Sequence, residues 1–363
     1  MTLLALEPST LQVLWFILIA VLWTGYLVLD GYDYGVAMLI PFLGKNEKER
    51  RVIVNTIGPL WDGNEVWLLT AGGATFAAFP GWYATLFSGL YLPLFLVLAG
   101  LIIRGVAFEY RAKNPDTRWR TTFDWLAAVG SFIVPLVFGI GFANFVKGLP
   151  VVQAPNSPNL HMLNGQPYFW ELFSPFGLLG GVVLVVLFLF HGSLFLALKT
   201  KGVIHDRAVT FAHTIGLVAI AGGAVFLVWK NLAYPSSFGL LDWVCLLLAA
   251  AGLVVAWWFN KNGRDGIAFT GTTVAVLFVA AGIFLRMWPN LGFDNSLIAD
   301  PAAHLNRVTA ASTELTLTIM TVAAAIFVPV VMGYQAWSIW VFRKRISTKN
   351  MPDEVPEPAV ASA

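Results

Sequence analysis

The chain has 363 residues, of which 58% are hydrophobic and 12% charged, with a formal net charge of +2 and a mean hydropathy of +0.74. Soluble domains average roughly 25% charged residues, so this composition excludes a soluble globular protein. Its long apolar runs favour membrane-spanning helices over the short alternating strands of a barrel. The single cysteine, Cys245, excludes an internal disulfide and a multi-cysteine metal site.

Nine runs of mostly apolar residues reach the ~18 residues that a spanning helix needs. In chain order they cover residues 12–42, 53–79, 82–108, 121–146, 176–199, 208–230, 239–260, 267–288 and 314–342. We therefore predict an all-α, polytopic membrane protein with about nine transmembrane helices arranged as helical bundles, in one domain over residues 1–346. The Pro- and Glu-containing segment 347–363 is expected to be a disordered cytoplasmic tail.

The basic residues orient this predicted bundle. Most of the 22 lysines and arginines fall in alternate loops, and cytoplasmic loops of membrane proteins carry such an excess. These loops contain Lys45, Lys48, Arg50 and Arg51; Arg111, Lys113, Arg118 and Arg120; Lys199, Lys201 and Arg207; Lys261 and Arg264; and Arg343, Lys344, Arg345 and Lys349. The C-terminus is thus predicted in the cytoplasm and, with an odd number of helices, the N-terminus outside.

Two pairs of carboxylates interrupt the first two apolar runs. Asp30 and Asp33 lie three residues apart, as do Asp62 and Glu65, so each pair shares a helix face. A charge in hydrocarbon costs roughly 2.5–3.5 kcal/mol even on insertion scales, and such residues usually mark a functional site. Asp33 and Asp62 would lie ~15 Å from the cytoplasmic end on adjacent antiparallel helices. We interpret the four acids as a proton path. The alternative is structural: Asp33 and Asp62 share a proton, or one acid pairs with a cation.

That cation would be Arg104, which lies within the third apolar run. It can snorkel to the interface, or pair with one of the acids or with a cofactor propionate. Trp61 and Trp67 flank the acids at deep positions, where they would face a partner or a flat ligand, or only pack in the core. Pro59, between Gly58 and these residues, is expected to distort the second helix and expose carbonyls that hold water.

The histidines form no recognisable ligand motif, and no haem-attachment, dinucleotide or zinc motif is present. His191 and His213 fall in predicted helices, where a hydrogen-bonded core role is more common than ligation. The others are His161, His205 and His304. We therefore expect neither a metal site nor a catalytic residue in this chain, and no redox centre of its own.

Four segments resemble a known family. They are LDGYDYG (29–35), ERR (49–51), WDGNEVW (61–67) and TAGGATFAAFP (70–80). Together they are similar to the N-terminal half of subunit II of cytochrome bd-type quinol oxidases. The resemblance is strong over residues 25–110, and beyond them only the number and spacing of helices agree. Tyr32 stands where the family usually has Phe, and Glu65 where some relatives have Gln.

The resemblance implies a complex of the bacterial inner membrane that oxidises quinol and reduces O2 to water, taking protons from the cytoplasm. The partner, subunit I, would hold two b-type haems, one d-type haem and the quinol. Asp33, Trp61 and Asp62 match positions thought to line or support the proton route, and Arg104 matches an arginine near the haem side. The resemblance leaves room for small single-helix accessory subunits and for a bound quinone or lipid, and implies no nucleic acid.

Two other functions remain open from the residues alone. A proton-coupled transporter would also use paired carboxylates, although the sequence shows no inverted repeat. A purely structural scaffold for the haem subunit would need the acids only for pairing. Changing Asp62 to asparagine separates that scaffold from a proton path, and co-purification with a haem-bearing partner separates both from a transporter.

Overall fold

The computed structural model describes residues 9–153, 160–162 and 166–351. These residues form a predominantly helical protein, as predicted. The helices are α1 Thr10–Leu43, α2 Glu47–Ile57, α3 Trp61–Ala78, α4 Pro80–Gly89, α5 Tyr91–Tyr110, α6 Thr117–Lys147, α7 Gln166–Glu171, α8 Pro175–Lys199, α9 Val203–Ala233, α10 Leu240–Lys261, α11 Asp265–Met287 and α12 Glu314–Val341. The predicted tail falls mostly outside the described residues, and its first part forms a short 3₁₀ turn at Thr348–Asn350.

Within the described ranges, eight helical segments are long and apolar enough to cross a membrane. They are α1, α5 with the turn that follows it, α6, and α8 to α12. The predicted polytopic helical architecture is thereby confirmed. The predicted span without a counterpart among the eight is the second, 53–79, whose apolar part is α3. The 18 residues of this helix include Asp62, Asn64 and Glu65, and these polar side chains lower the hydropathy of its first two turns.

The second predicted span, 53–79, is not one helix. Helix α2 ends at Ile57, three residues form a turn, and α3 begins at Trp61. The predicted distortion at Pro59 is therefore confirmed, and it is strong enough to stop the helix. The polar helix α2 precedes this break, so the apolar part of the span begins later than predicted.

The third predicted span, 82–108, is also divided, because α4 ends at Gly89 and α5 begins at Tyr91. The interruption falls beside Pro93, whose ring has no N–H for the carbonyl four residues earlier, that of Gly89. The chain still turns helically through Leu90, whose N–H donates to the carbonyl of Leu86 at 2.8 Å. The interruption between α4 and α5 is therefore a kink in the helical path and not a loop.

A small sheet was not predicted. Strand β1, Leu149–Gln153, pairs antiparallel with β2, Leu160–Met162, and parallel with β3, Phe293–Asp294. The strands come from the two long loops that follow α6 and α11. Short strands of this kind carry too little hydrophobic alternation to be recognised beside long apolar helices.

Helix α1 lies at the centre of the packing. It contacts α3, α6, α8 and α11, and every residue from Asp30 to Ile40 is buried. At Gly35 the backbones of α1 and α8 meet so closely that a Cβ would collide with the backbone of Phe188 and Gly192. The acidic stretch of α1 therefore lies inside the protein and is not exposed to lipid.

At the end of the bundle that carries the basic loops, helix α2 is held by ion pairs. Glu49 accepts hydrogen bonds from the backbone N–H of Lys45 at 2.8 Å and from Arg207 at 2.6 Å. Burial alone would raise the pKa of Glu49, but these hydrogen bonds lower it overall. Nearby, Arg111 bridges Glu47 and the buried Asp124, at 2.8 and 2.6 Å.

The lowered pKa of Glu49 gives a pH-dependent stability. A group whose pKa is depressed in the folded state stabilises it above the unfolded pKa, and this contribution disappears as pH falls through the folded pKa. We expect Glu49→Gln to lower the free energy of unfolding by about 1 kcal/mol at pH 7. At a second pH, chosen below the depressed folded pKa of Glu49 and so well under the ordinary glutamate value of ~4.3, the variant and the unchanged protein should converge. Thermal unfolding of the purified protein at both pH values measures this. Glu109→Gln, at an exposed site, is the control, and a difference that persists at low pH would contradict the assignment.

The segment after α12 is anchored to the same end of the bundle. Ile346 exchanges backbone hydrogen bonds with Lys199 and Lys201, at 2.9 and 3.1 Å. Arg345 donates to Asp265 at 2.6 Å, and Asp265 also contacts His205 at 3.2 Å. These contacts define a C-terminal strap, residues 342–351, which ties α12 to α8, to the turn that follows α8, and to α11. Most of α12 itself is exposed on the surface of the chain.

Candidate functional site: a buried carboxylate–arginine cluster

Arg104 forms the centre of the cluster. Its side chain has no solvent exposure, and its two terminal nitrogens donate to the two oxygens of Asp30 at 3.0 and 2.5 Å. The ring of Tyr34 lies 4.2 Å from the guanidinium carbon. Of the alternatives for Arg104, the structure gives the ion pair with an acid, since a side chain buried to this degree does not snorkel. Bidentate pairs of this kind are among the strongest in proteins.

Glu65 connects this pair to the surface. Its Oε2 atom lies 3.6 Å from the Nη1 atom of Arg104, and its side chain is 23% exposed. The same oxygen has no hydrogen-bond partner among the described residues. Glu65 is thus partly exposed as a side chain, while its Oε2 atom is buried beside Arg104, a position from which a carboxylate can exchange a proton with a neighbouring group.

Asp33 lies on the same helix but has different partners. It is fully buried, and its Oδ2 atom accepts a hydrogen bond from the amide of Asn64 at 2.7 Å. The same amide nitrogen donates to the hydroxyl of Tyr32 at 2.8 Å. The second oxygen of Asp33 has no hydrogen-bond partner in the described part of the chain.

Asp62 is exposed, although it lies only two residues before Asn64 on α3. The predicted adjacency of the two helices is confirmed, because Asp33 contacts α3 at Asn64. However, the hypothesis that Asp33 and Asp62 share a proton directly does not match this geometry, since Asn64 occupies the position beside Asp33. Successive residues of a helix point in different directions, so Asp62 faces outward while Asn64 faces α1.

The two tryptophans border the cluster. Trp61 is half-buried, and its ring lies 5.1 Å from that of Phe108 and 5.7 Å from the guanidinium of Arg104. Trp67 is also half-buried and packs against α1 at Gly25, where a Cβ would collide with its ring. Each of the two indole rings therefore packs against this chain with part of its surface and leaves the rest exposed.

Sequence reasoning missed four residues of this site. Asn64 lies within the WDGNEVW motif, which is a signal that could have found it. Its Oδ1 atom accepts a hydrogen bond from Gln335 of α12 at 2.8 Å, a contact across 271 positions that no local pattern reveals. The hydroxyls of Tyr26 and Tyr34 meet at 2.5 Å, and their spacing of eight residues only places them on one helix face.

The residues that the structure describes contain no group of three or more His, Cys, Asp or Glu side chains that could hold a metal ion. His191 is buried, with Nδ1 2.7 Å from the Thr272 hydroxyl and Nε2 3.0 Å from the carbonyl oxygen of Val28. Its interpretation as a hydrogen-bonded core histidine is confirmed. His213 stacks on Trp257 at a centroid distance of 5.0 Å, and Cys245 is buried.

Comparison with known proteins agrees with this architecture. Residues 11–342 match the family model described as cytochrome bd terminal oxidase subunit II. The chain is 37% identical to cytochrome bd ubiquinol oxidase subunit 2 of Bacillus subtilis, over 94% of this chain and 98% of that protein. It is 35% identical to cytochrome bd-I ubiquinol oxidase subunit 2 of Escherichia coli K12, over 95% and 98%.

The fold has a solved counterpart. A chain of the bd oxidase from Geobacillus thermodenitrificans superposes with a TM-score of 0.74, covering 92% of this chain and 99% of that one, at 16% identity. At this identity the likeness concerns the fold alone. The family model and the curated relatives, each spanning nearly the whole length, decide the assignment: the chain belongs to the cytochrome bd terminal oxidase subunit II family.

Proposed function

We propose that the chain is the subunit of a quinol oxidase that supports a haem-bearing partner and carries protons to it. The relatives at 37% and 35% identity are named as subunits of ubiquinol oxidases. In such a complex, quinol supplies electrons and O2 is reduced to water, which consumes protons. Electron transfer and oxygen chemistry belong to the partner, and the present chain contributes proton-carrying groups.

The haems are assigned to the partner on the strength of the family resemblance, and the contacts of His191 agree with this. Both ring nitrogens of His191, a candidate axial ligand, are engaged by Thr272 and by the carbonyl of Val28. Axial haem ligation uses an available histidine nitrogen or a comparable donor. We assign the two b-type haems and the d-type haem that the resemblance implies to subunit I, and no step of this proposal passes through a haem held by this chain.

The proposal rests mainly on one observation: the exposure of the four acids increases from the inside of the cluster to its surface. Asp30 and Asp33 are fully buried, Glu65 is partly exposed and Asp62 is exposed. Function is the default interpretation of ionisable groups inside a membrane. Asp30 is occupied by its bidentate pair with Arg104, so it anchors the cluster. Asp33 and Glu65, which each have an oxygen without a hydrogen-bond partner among the described residues, hold the moving proton.

Asp62 marks where the path leaves this chain. It lies on a face of α3 that also exposes Val66 and Leu69. A carboxylate among apolar side chains that faced lipid would be costly, whereas a partner subunit that covers this face can satisfy it. The direction of transport follows the charge distribution: the basic loops, and with them the C-terminus, face the cytoplasm, and the N-terminus faces outward. The path therefore runs from the basic end of the bundle towards subunit I.

The test is Asp62→Asn in the complete complex. We expect quinol-dependent O2 consumption per haem to fall at least about tenfold, because the amide cannot carry the proton, while the haem spectrum and the yield of complex stay unchanged. Glu109→Gln, which removes an exposed acid elsewhere, is the control. Normal turnover with normal haem content would contradict the assignment of Asp62. Loss of haem together with turnover would instead show a structural role for Asp62.

A further inference from the structure

We propose that Gln335 is a positioning residue for Asp33, which fixes the amide of Asn64 so that its nitrogen faces the carboxylate. Gln335 lies on α12, and its side-chain amide donates a hydrogen bond to Asn64. Gln335 acts on Asp33 through Asn64, whose side chain bonds both residues. This inference rests on the proposed proton path, since it concerns how one acid of that path is presented.

The hydrogen bonds of Asn64 determine which way its amide points. The nitrogen donates to Asp33 and to Tyr32, and the oxygen accepts from the Nε2 atom of Gln335 at 2.8 Å. Asn64 is fully buried, so these contacts cannot be exchanged readily for bulk water. Reversal of the amide would set its carbonyl oxygen against the carboxylate and would require Gln335 to reverse as well.

The orientation of Asn64 selects the oxygen of Asp33 that takes up a proton. A donor held at Oδ2 stabilises negative charge on that oxygen. The other oxygen, Oδ1, has no hydrogen-bond partner among the described residues, so a proton arrives there. With the amide reversed, Asn64 would present an acceptor, which favours the protonated carboxyl and engages the proton that the path must pass on.

Gln335 can hold this position because α12 is fixed at both ends. Near its start, the indole of Trp15 donates to the hydroxyl of Thr321 at 3.0 Å. After its end, the C-terminal strap binds the bundle through Arg345 and Asp265 at 2.6 Å. Gln335 lies between these anchors, with its side chain beside Gly63 at the start of α3. A helix that is otherwise mostly exposed thus places one polar side chain against the buried site.

The experiment compares Gln335→Leu with Thr321→Val in the complete complex. Leucine removes the donor to Asn64. Valine removes one hydrogen bond between α1 and α12 but leaves the second, from the Trp15 indole to the Leu317 carbonyl at 3.2 Å, so α12 stays anchored. The readouts are the carboxylic-acid band of Asp33 in infrared difference spectra, identified by its absence in Asp33→Asn, and the pH profile of turnover. We expect Gln335→Leu to shift the band and to move the profile by at least about half a pH unit. Thr321→Val should change neither.

A second substitution guards against a folding defect. Gln335→Glu keeps the length of the side chain and offers an acceptor when ionised, so it should shift the same two readouts while haem content stays normal. If Gln335→Leu leaves the band and the pH profile unchanged, or if Thr321→Val shifts them equally, the positioning role is wrong. The proton path is tested separately from the positioning role. Normal turnover of Asp33→Asn would exclude Asp33 from the proton path, whereas the infrared band would still show whether Gln335 orients the Asp33 carboxyl.

Discussion

Arg104→Met is expected to prevent normal accumulation of the complex. It removes the cation that pairs with Asp30 at 3.0 and 2.5 Å in a site without solvent exposure. Breaking a buried ion pair from one side leaves an uncompensated charge and costs about 3–5 kcal/mol, a large share of the stability of a typical protein. The measurement is the haem absorbance of membranes together with the unfolding temperature of whatever complex is purified.

Three further variants separate charge compensation from packing. Asp30→Asn alone should be milder than Arg104→Met, because Glu65 lies 3.6 Å from the guanidinium and can balance it. The double variant Asp30→Asn with Arg104→Met removes both charges and should recover much of the loss. Arg104→Lys keeps the charge but loses the bidentate geometry, so it should fall between the extremes. Normal assembly of Arg104→Met would show that the pair contributes little to stability.

Asp33→Asn is expected to lower turnover per haem by at least about tenfold without loss of haem, an increase in the barrier of about 1.4 kcal/mol or more. Asparagine is close to the same size and can still accept the hydrogen bond from Asn64, so the packing of α1 on α3 should survive. What it loses is the exchange of a proton at the second oxygen. Oxygen consumption with excess quinol, normalised to haem absorbance, measures the effect.

The matched control is Tyr32→Phe. Tyr32 neighbours Asp33 and accepts from the same amide nitrogen at 2.8 Å, but it is not part of the proposed path. Its variant removes one hydrogen bond of Asn64 and should leave turnover within about twofold. Turnover of Asp33→Asn close to that of the unchanged complex would exclude Asp33 from the path. Equal defects in both variants would indicate that the geometry of Asn64, not the acid, limits the rate.

Several elements of this protein could be predicted because their signal is local. An apolar run of sufficient length forms a helix in a membrane whatever surrounds it, since its backbone groups must be satisfied within the segment. Most predicted spans therefore match observed helices closely, as 12–42 matches Thr10–Leu43 and 314–342 matches Glu314–Val341. A distortion at Pro59, though not a complete break, could be predicted for the same reason, because proline acts on its own backbone.

Other features depend on contacts between distant segments and had no local signal. The division of the third span at Leu90 depends on how strongly Pro93 kinks the helix, which the local sequence does not specify. The small sheet pairs strands from loops about 140 positions apart, so no local pattern reveals it. The acids were found because charges are rare in apolar runs. The polar partners of the acids, Asn64 and Gln335, could not be recognised from the sequence, because an asparagine or a glutamine in a membrane helix has many possible roles.

The sequence by itself determined that this is a helical membrane protein, where most of its helices run, and that Asp30, Asp33 and Arg104 lie inside it. Composition and the period of the helix are sufficient for these conclusions, because each residue reports on its own environment. Only the tertiary structure decided that Arg104 pairs with Asp30, that Asn64 separates Asp33 from Asp62, and that Gln335 reaches the site from the last helix. Those facts depend on how helices are rotated against one another, and rotation is set by packing that no single segment contains.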